Sequence, residues 1–348
     1  MKIEERVFGT IKNRPVIEYT LLNENGLSVS CLNYGCIITK IMAPDKDGKI
    51  ENIVLGFDSL EDYIESPYFG SIVGRVAGRI RGAQFAVGGT EYRLSANTPP
   101  NHLHGGETGF SSKIFAVEKI EKENAVGIKF MYESPDGEEG YPGNLQLSIS
   151  YFWNNENELE MTYHGKTDKE TIVNITNHSY FNLSGNSKRD CLEHVLTVES
   201  DRFLELNEQL LPTGILIQAK DTSFDFQEGK KLKEGIESDF QQNAIVGNGY
   251  DHPLIFSESG KHTAELWEEE SGRVMHVTTD QPAMILYTAN QLDEDIIFNE
   301  GVKGRPYLGV CLETQGYPDA VHHSTFPSIV LKPEEKYMAQ TTFRFTVY

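Results

Sequence analysis

The feature that most constrains the fold is a two-residue hydrophobic period, which recurs in short segments separated by turn residues. In the clearest example it runs through Leu145, Leu147, Ile149, Tyr151 and Trp153, then through Leu159, Met161 and Tyr163. Successive side chains of a strand point to opposite faces, so this period is typical of strands with one buried face. The polar residues 154–157 lie between the two runs and predict a turn that joins them as a hairpin.

Similar strand signals extend along the chain. Residues 16–20 and 27–42 are rich in β-branched and apolar side chains, and residues 341–347 alternate again. Gly88-Gly89, between two alternating runs, predicts a tight two-residue hairpin turn. Helical periodicity is scarce, and only residues 59–65 have a pattern typical of a short helix.

No internal repeat, low-complexity tract or linker divides the chain. Residues 133–144 form the clearest loop and residues 228–250 contain another, and strand patterning resumes at once after each. The sequence therefore predicts an all-β fold, a large antiparallel β-sandwich that forms a single domain over residues 1–348.

Composition excludes several classes of partner. The 348-residue chain is 39% hydrophobic, which suits a protein with a sizeable core, and its net charge is -21. Nucleic acids and anionic membrane surfaces both require clustered Lys and Arg, so we expect neither as a partner. No run approaches ~20 apolar residues, so no membrane span is expected. The sequence leaves the oligomeric state open.

Cysteine usage and the N-terminus indicate a reducing compartment. The four cysteines are scattered, without the paired spacing of a metal site: Cys31, Cys36, Cys191 and Cys311. The N-terminal residues lack the apolar core of a signal peptide. We therefore expect a cytoplasmic protein with reduced thiols.

The stretch from Asn174 to Leu183 is a candidate acid–base centre. It follows the β-branched run 171–173 and surrounds His178 with small polar side chains, while apolar residues flank it on both sides. Polar groups in a protected place need partners, so a hydrogen-bond network is predicted. A histidine in such a network can exchange protons near neutral pH. The alternative is a histidine with a purely structural role.

Glu313 is the second candidate. In the strand pattern of residues 308–316, Cys311, Glu313 and Gln315 share one face, opposite the apolar residues Leu308, Val310 and Leu312. A carboxylate within an apolar strand is costly unless it is paired or functional. The alternative to a catalytic role is an ion pair with an arginine.

Five further positions offer groups that suit a hydroxyl-rich ligand or a metal. Arg79 can donate two hydrogen bonds, and Gln281 can donate and accept. Asp251 follows a glycine-containing turn, which gives it either a binding or a turn-capping role. His102 and His104 lie two apart on a predicted strand, so they share a face that could suit a metal. Spacing supplies no third and fourth ligand, so a metal site is not expected.

Several of these segments resemble one known family. Residues 174–183 resemble the signature of the aldose 1-epimerases, the galactose mutarotases. The agreement covers Asn174, Thr176, Asn177, His178, Tyr180, Phe181, Asn182 and Leu183. Segments around Arg79, His104, Asp251, Gln281 and Glu313 resemble the other family segments, in the same order. The resemblance covers most of the chain and implies the large twisted sandwich of galactose mutarotase-like proteins.

The resemblance also implies an activity and roles for the candidates. It implies an enzyme that interconverts the α and β anomers of a free sugar such as galactose or glucose, without cofactor or metal. Glu313 is then the base and His178 the acid, and the substrate-binding residues are Arg79, His104, Tyr180, Asp251 and Gln281. For its role, His178 should be an imidazolium whose pKa is raised by Asp251 and Glu313. Gly78 and Pro253 stand where the family often has asparagine.

Three alternatives remain open at this stage. A sugar sensor of the same fold would bind without turnover. A phosphosugar 1-epimerase would need a cluster of basic side chains for the phosphate. A metalloenzyme would use His102 and His104 as ligands.

Overall fold

Antiparallel strands dominate the secondary structure, as the sequence predicts. The computed structural model describes residues 1–256 and 261–348. The first part of the chain forms β1 (Lys2–Ile11), β2 (Arg14–Leu22), β3 (Ser28–Leu32), β4 (Ile38–Pro44), β5 (Ile50–Asn52), β6 (Ile72–Val73), β7 (Arg79–Ile80), β8 (Gln84–Val87), β9 (Thr90–Arg93), β10 (His102–Leu103), β11 (Ala116–Lys122) and β12 (Ala125–Ser134). The middle forms β13 (Leu145–Asn154), β14 (Glu158–Thr167), β15 (Thr171–Ile172), β16 (Thr176–Asn177), β17 (Tyr180–Phe181), β18 (Val195–Val198), β19 (Ser200–Leu206), β20 (Pro212–Gln218) and β21 (Lys230–Lys231). The last part forms β22 (Asp251–Phe256), β23 (His262–Trp267), β24 (Arg273–Thr279), β25 (Ala283–Tyr287), β26 (Val310–Gln315), β27 (Val330–Leu331) and β28 (Tyr337–Val347).

Helices are few and short in the described part of the chain. The α-helices are α1 (Leu60–Glu65), α2 (Lys233–Ile236) and α3 (Gln241–Ile245). Single 3₁₀ turns occur at Arg81–Ala83, Phe110–Ser112, Glu138–Gly140, Asn299–Gly301 and Ala320–His322. None of these helices has the length and apolar composition needed to cross a bilayer.

Three sheets make up most of the structure. The largest has the strand order β11-β12-β13-β14-β28-β24-β23-β18-β21, the second has β17-β26-β25-β22-β19-β20, and the third contains β1 to β5 in sequence order. Short ribbons pair β10 with β7, β16 with β6, β15 with β27 and β8 with β9. The ladders within these sheets are antiparallel, which confirms the predicted sandwich class.

Local signals in the sequence explain several of these elements. Strands β13 and β14 form the predicted hairpin, in register from Leu145–Thr167 to Trp153–Leu159. The side chain of Ser59 accepts a hydrogen bond from Asp62 N and caps α1, as in a typical helix start. Gly88 and Gly89 both have positive φ, which a type I′ turn requires. The segment 228–250, predicted to contain a loop, also contains β21, α2 and α3.

The second sheet has one face in the core and the other on a cleft. Leu254, Leu286 and Leu312 point inward and join the main hydrophobic cluster, which also contains Ile149 and Phe343 of the largest sheet. Because side chains alternate along a strand, the neighbours of these leucines point to the opposite side. That opposite face carries the candidate site residues.

Candidate active site

A cleft with a volume of about 210 Å³ lies over the outer face of the second sheet. Its polar lining consists of Tyr68, Arg79, His104, His178, Tyr180, Asp251, Tyr287, Gln291, Glu313 and Gln315. Its apolar lining includes Leu103, Leu206, Leu210, Pro212, Val246, Pro253, Ile285 and Pro318. The fold thus brings six of the seven predicted site residues to one place, from segments far apart in the sequence.

Glu313 lines this cleft from β26, which lies next to the edge strand β17 in the second sheet. It is directly opposite Ile285 in the ladder between β25 and β26, and its side chain is only 3% exposed. Burial penalises the charged carboxylate, and the nearby Asp251 adds repulsion, so the pKa of Glu313 is raised well above its ordinary value. Among the described residues, Glu313 has no arginine within ion-pairing distance; its partner is a histidine.

His178 faces Glu313 directly. Its Nε2 lies 3.4 Å from Oε1 of Glu313, and its side chain is 5% exposed. Aromatic rings pack around the imidazole, with centroids at 5.0 Å for Tyr180, 5.3 Å for His104 and 6.0 Å for Tyr68. The ring is therefore held in one orientation by packing, with one nitrogen directed at the carboxyl group.

The polar residues around His178 join its segment to the strand that carries Glu313. Asn174 bonds both backbone groups of Gly316: its Nδ2 donates to the carbonyl at 3.2 Å, and its Oδ1 accepts from the amide at 2.7 Å. The Thr176 hydroxyl donates to the carbonyl of Thr314 at 3.0 Å. These bonds form the network that the sequence predicts. They join the two backbone segments that carry His178 and Glu313 and so hold the two residues in place.

The polar wall of the cleft beside His178 and Glu313 consists of Arg79, His104 and Asp251. Nη1 of Arg79 lies 4.0 Å from Oδ2 of Asp251, and Arg79 pairs with Leu103 in the ladder that precedes His104. The amide of Gly78 donates to Nδ1 of His104 at 3.3 Å, which leaves Nε2 as the protonated nitrogen of a neutral ring. Burial and the neighbouring His178 and Arg79 lower the pKa of His104 well below its ordinary value, which keeps it neutral.

The two departures from the family pattern both lie on the cleft. Gly78 has φ +78°, a conformation that glycine adopts freely and asparagine tolerates better than most residues. A Cβ there would lie 3.0 Å from the Pro318 ring. Pro253 lies opposite Ile285 in the ladder between β22 and β25. At these positions the chain offers backbone and apolar surface in place of an amide side chain.

The protonation of His178 differs from the prediction. We expected nearby carboxylates to raise its pKa, but burial lowers the pKa to about 4. The raised pKa of Glu313 and the lowered pKa of His178 both favour the neutral forms, a protonated carboxyl group and an uncharged imidazole. Desolvation decides the outcome because a neutral pair is cheaper to bury than an ion pair.

Comparison with known proteins assigns the family. The family model described as aldose 1-epimerase matches residues 18–344. The chain belongs to the aldose 1-epimerase family.

Relatives of the family match over their whole length. Mouse galactose mutarotase is 37% identical over 351 residues, covering 100% of this chain and 99% of the relative. An aldose 1-epimerase from Streptococcus thermophilus is 32% identical and covers 95% of this chain and 94% of its own length. The crystal structure of galactose 1-epimerase from Lactobacillus acidophilus is 30% identical, with a TM-score of 0.89 and 99% coverage of both chains. This chain is therefore an enzyme of carbohydrate isomerisation with aldose 1-epimerase activity.

Gln281 is the one predicted site residue that does not line the cleft. It lies two residues before β25, lines a separate groove with Asn174 and Gly316, and donates a hydrogen bond to Asp280. A strand advances ~3.3 Å per residue, so Gln281 is ~13 Å along the chain from Ile285, which lines the cleft.

Several cleft residues were not assigned from the sequence. Tyr287 follows Ile285 by two positions and Gln315 follows Glu313 by two, so strand alternation could have found both. Both amide heteroatoms of Gln315 lack a partner among the described residues. Tyr68 and Gln291 lie on connecting segments, and no periodic signal marks them.

The structure does not support a metal site at His102 and His104, and it brings a different set of possible donor atoms together. His102 is not a ligand beside His104, because Ser95 O and Tyr141 Oη occupy its two ring nitrogens at 2.7 and 2.6 Å. Among the described residues, His178, Cys311 and Glu313 each place one donor atom within 4.8 Å of the others. A metal would need the thiolate and the carboxylate, whereas burial raises the pKa of both groups. The donor set therefore fits a proton-exchanging cluster better than a metal site.

Proposed function

We propose that this aldose 1-epimerase opens and recloses the pyranose ring of a free sugar with Glu313 as the base and His178 as the acid. The observation that carries the proposal is the 3.4 Å approach of His178 Nε2 to Glu313 Oε1 in a cleft that buries both residues. The reaction only redistributes protons, so two positioned groups that share one proton are sufficient for it. The names of the relatives favour galactose as the substrate, and glucose stays an expectation from the family resemblance.

The proposed steps require only one proton, which Glu313 and His178 share. When the sugar binds, the proton moves to His178, so that Glu313 is a carboxylate beside the C1 hydroxyl. Glu313 takes the hydroxyl proton as the bond between C1 and the ring oxygen breaks, and His178 Nε2–H protonates that oxygen. The C1 carbonyl of the open-chain aldehyde rotates about the C1–C2 bond. The reverse transfers close the ring on the other face and return the proton.

The remaining polar residues supply binding rather than proton transfer. Arg79 and Asp251 offer adjacent donor and acceptor groups, a combination that suits neighbouring hydroxyls. His104 presents an Nε2–H donor, since its Nδ1 accepts from Gly78 N. Tyr180 packs on the rings of His178 and Phe69, and its centroid lies 4.4 Å from that of Phe69. This packing supports a role for Tyr180 in shaping the cleft.

Polarimetry with freshly dissolved sugars tests this function. We expect α-galactose to lose its excess rotation much faster with enzyme than in buffer. We also expect kcat/KM for galactose 6-phosphate to be at least ~10²-fold lower, because a buried, unpaired phosphate costs several kcal/mol. Among the described residues that line the cleft, only Arg79 carries a permanent positive charge, and it faces Asp251.

The other outcomes separate the alternatives. Equal or faster turnover of the phosphorylated sugar would identify a phosphosugar 1-epimerase instead. A rotation that relaxes at the buffer rate, despite binding of galactose measured by calorimetry, would identify a sugar sensor. A chelator should leave the rate unchanged. A chelator that abolishes the rate would favour a metal at His178, Cys311 and Glu313.

The pH dependence should follow the shared proton. Below pH ~4 His178 takes up a second proton and Glu313 can no longer act as a base, so kcat/KM should fall about tenfold per pH unit. At high pH the pair loses its one proton, and the rate should fall again above the raised pKa of Glu313. Initial rates from pH 3 to 9, with folding checked by circular dichroism, measure this. An acidic limb close to pH 6.5 would contradict the assignment.

We also propose a cytoplasmic location. All four cysteines are buried and unpaired, which suits a reducing compartment.

A further inference from the structure

The imidazole of His178 has a second partner, on the side away from Glu313. Sγ of Cys311 lies 3.6 Å from its Nδ1, within the range of a hydrogen bond to sulfur. Cys311 is fully buried and lies two residues before Glu313 on β26, on the same face of the strand. The two nitrogens of one ring therefore contact two residues of one strand.

The spacing of the strand explains this arrangement. Residues two apart on a strand are ~6.7 Å apart and point the same way, a gap that an imidazole ring can bridge. The strand pairing is consistent with this position of Cys311 beside the cleft. Cys311 pairs with Tyr180 on one side and with Tyr287 on the other, and both tyrosines line the cleft. Cys311 and Glu313 thus hold the ring between them.

We infer that Cys311 is a positioning residue that accepts a hydrogen bond from Nδ1–H of His178 and so reserves Nε2 for proton exchange. This inference rests on the proposed function, because it assigns the state of the acid in that reaction. After His178 gives its proton to the ring oxygen, Nε2 must be bare to receive the next one, so Nδ1 must keep its own. An acceptor at Nδ1 selects that tautomer, as the partner of a ring nitrogen generally does.

A thiol suits this task better than a carboxylate would. Burial and the nearby Glu313 raise the pKa of Cys311 well above its ordinary value, so it stays a neutral thiol. A neutral sulfur is a weak acceptor, so it selects the tautomer without adding a charge that would make the imidazole more basic. The imidazolium form of His178 therefore gives up its proton more readily than that of an ordinary histidine, in agreement with the pKa of about 4 that burial produces.

The kinetic test uses Cys311→Val, which keeps the volume and removes the acceptor, and Cys311→Ser, which keeps a polar atom. We expect Cys311→Val to lower kcat by ~5- to 10-fold with KM for galactose within ~2-fold, the effect of losing one weak hydrogen bond. Cys311→Ser should recover most of the rate. The matched control is Cys31→Val, a fully buried cysteine on β3 outside the cleft, which should leave kcat unchanged.

A spectroscopic test needs no variant. Nitrogen-15 NMR of the imidazole in the wild-type enzyme at pH 7 should show a protonated Nδ1 and a bare Nε2 for His178. A bare Nδ1, or a Cys311→Val enzyme with the wild-type kcat, would overturn the inference. These failures differ from failure of the proposed function, in which Glu313→Gln would keep more than a tenth of the wild-type kcat. If Cys311→Val does not fold, the wild-type spectrum alone decides.

Discussion

Replacement of Glu313 by glutamine is expected to lower kcat for galactose mutarotation by ~10³-fold while KM changes less than ~3-fold. The amide has the shape of the carboxylate and can still bond the sugar, but it cannot accept the proton of the C1 hydroxyl. A positioned base contributes ~10²- to 10⁴-fold to a rate, and this loss lies within that range. Polarimetry gives kcat and KM, and thermal unfolding verifies that the variant is folded.

A matched control separates the chemistry from burial. Glu18 is also buried, at 5% exposed, but it lies on β2 and accepts a hydrogen bond from the Thr39 hydroxyl at 2.8 Å, away from the cleft. Glu18→Gln keeps that bond, so its kcat should equal that of the wild type. Glu313→Gln with more than a tenth of the wild-type kcat would remove Glu313 from the mechanism.

Replacement of His178 by glutamine is expected to cost a similar factor, ~10³-fold in kcat, because the amide cannot deliver a proton to the ring oxygen. The loss should not add to that of Glu313→Gln. Since the two groups share one proton and act as a unit, the double variant should be nearly as active as either single variant. Steady-state polarimetry of the four proteins measures the coupling.

His194 provides the control for this substitution. Like His178, it is buried and its pKa is lowered to about 4, but it accepts a hydrogen bond from Leu183 N outside the cleft. His194→Gln should therefore retain the wild-type kcat per folded molecule. Independent, multiplicative losses in His178→Gln and Glu313→Gln would contradict a shared proton.

The sequence was sufficient for the fold because its signals are local. The alternation from Leu145 to Tyr163 predicts the hairpin of β13 and β14, and Ser59 starts the short helix where the pattern indicates. The single domain stays a prediction, supported by a main hydrophobic cluster that draws residues from Tyr19 to Phe345. The sequence did not indicate the helices α2 and α3 within 228–250, because elements of 4 and 5 residues are too short to show helical periodicity.

The site was partly predictable, for a different reason. Strand alternation put Cys311, Glu313 and Gln315 on one face, and the family resemblance paired Glu313 with His178. No sequence signal gave the low pKa of His178, because its burial depends on Tyr68 and His104 from other segments. Nor could the sequence reveal its contact with Cys311, which exists only because β17 pairs with β26. The resemblance did not indicate that Gln281 lies outside the cleft, because a matching motif does not give the distance along a strand.

The most direct measurement is a crystal structure of Glu313→Gln with bound galactose, since the variant should hold the sugar without turning it over. The central claim is that one anomeric centre lies between residue 313 and His178. We expect the side chain at position 313 within ~3.2 Å of the C1 hydroxyl and His178 Nε2 within ~3.2 Å of the ring oxygen. A sugar bound with its C1 carbon directed away from this pair would contradict the mechanism.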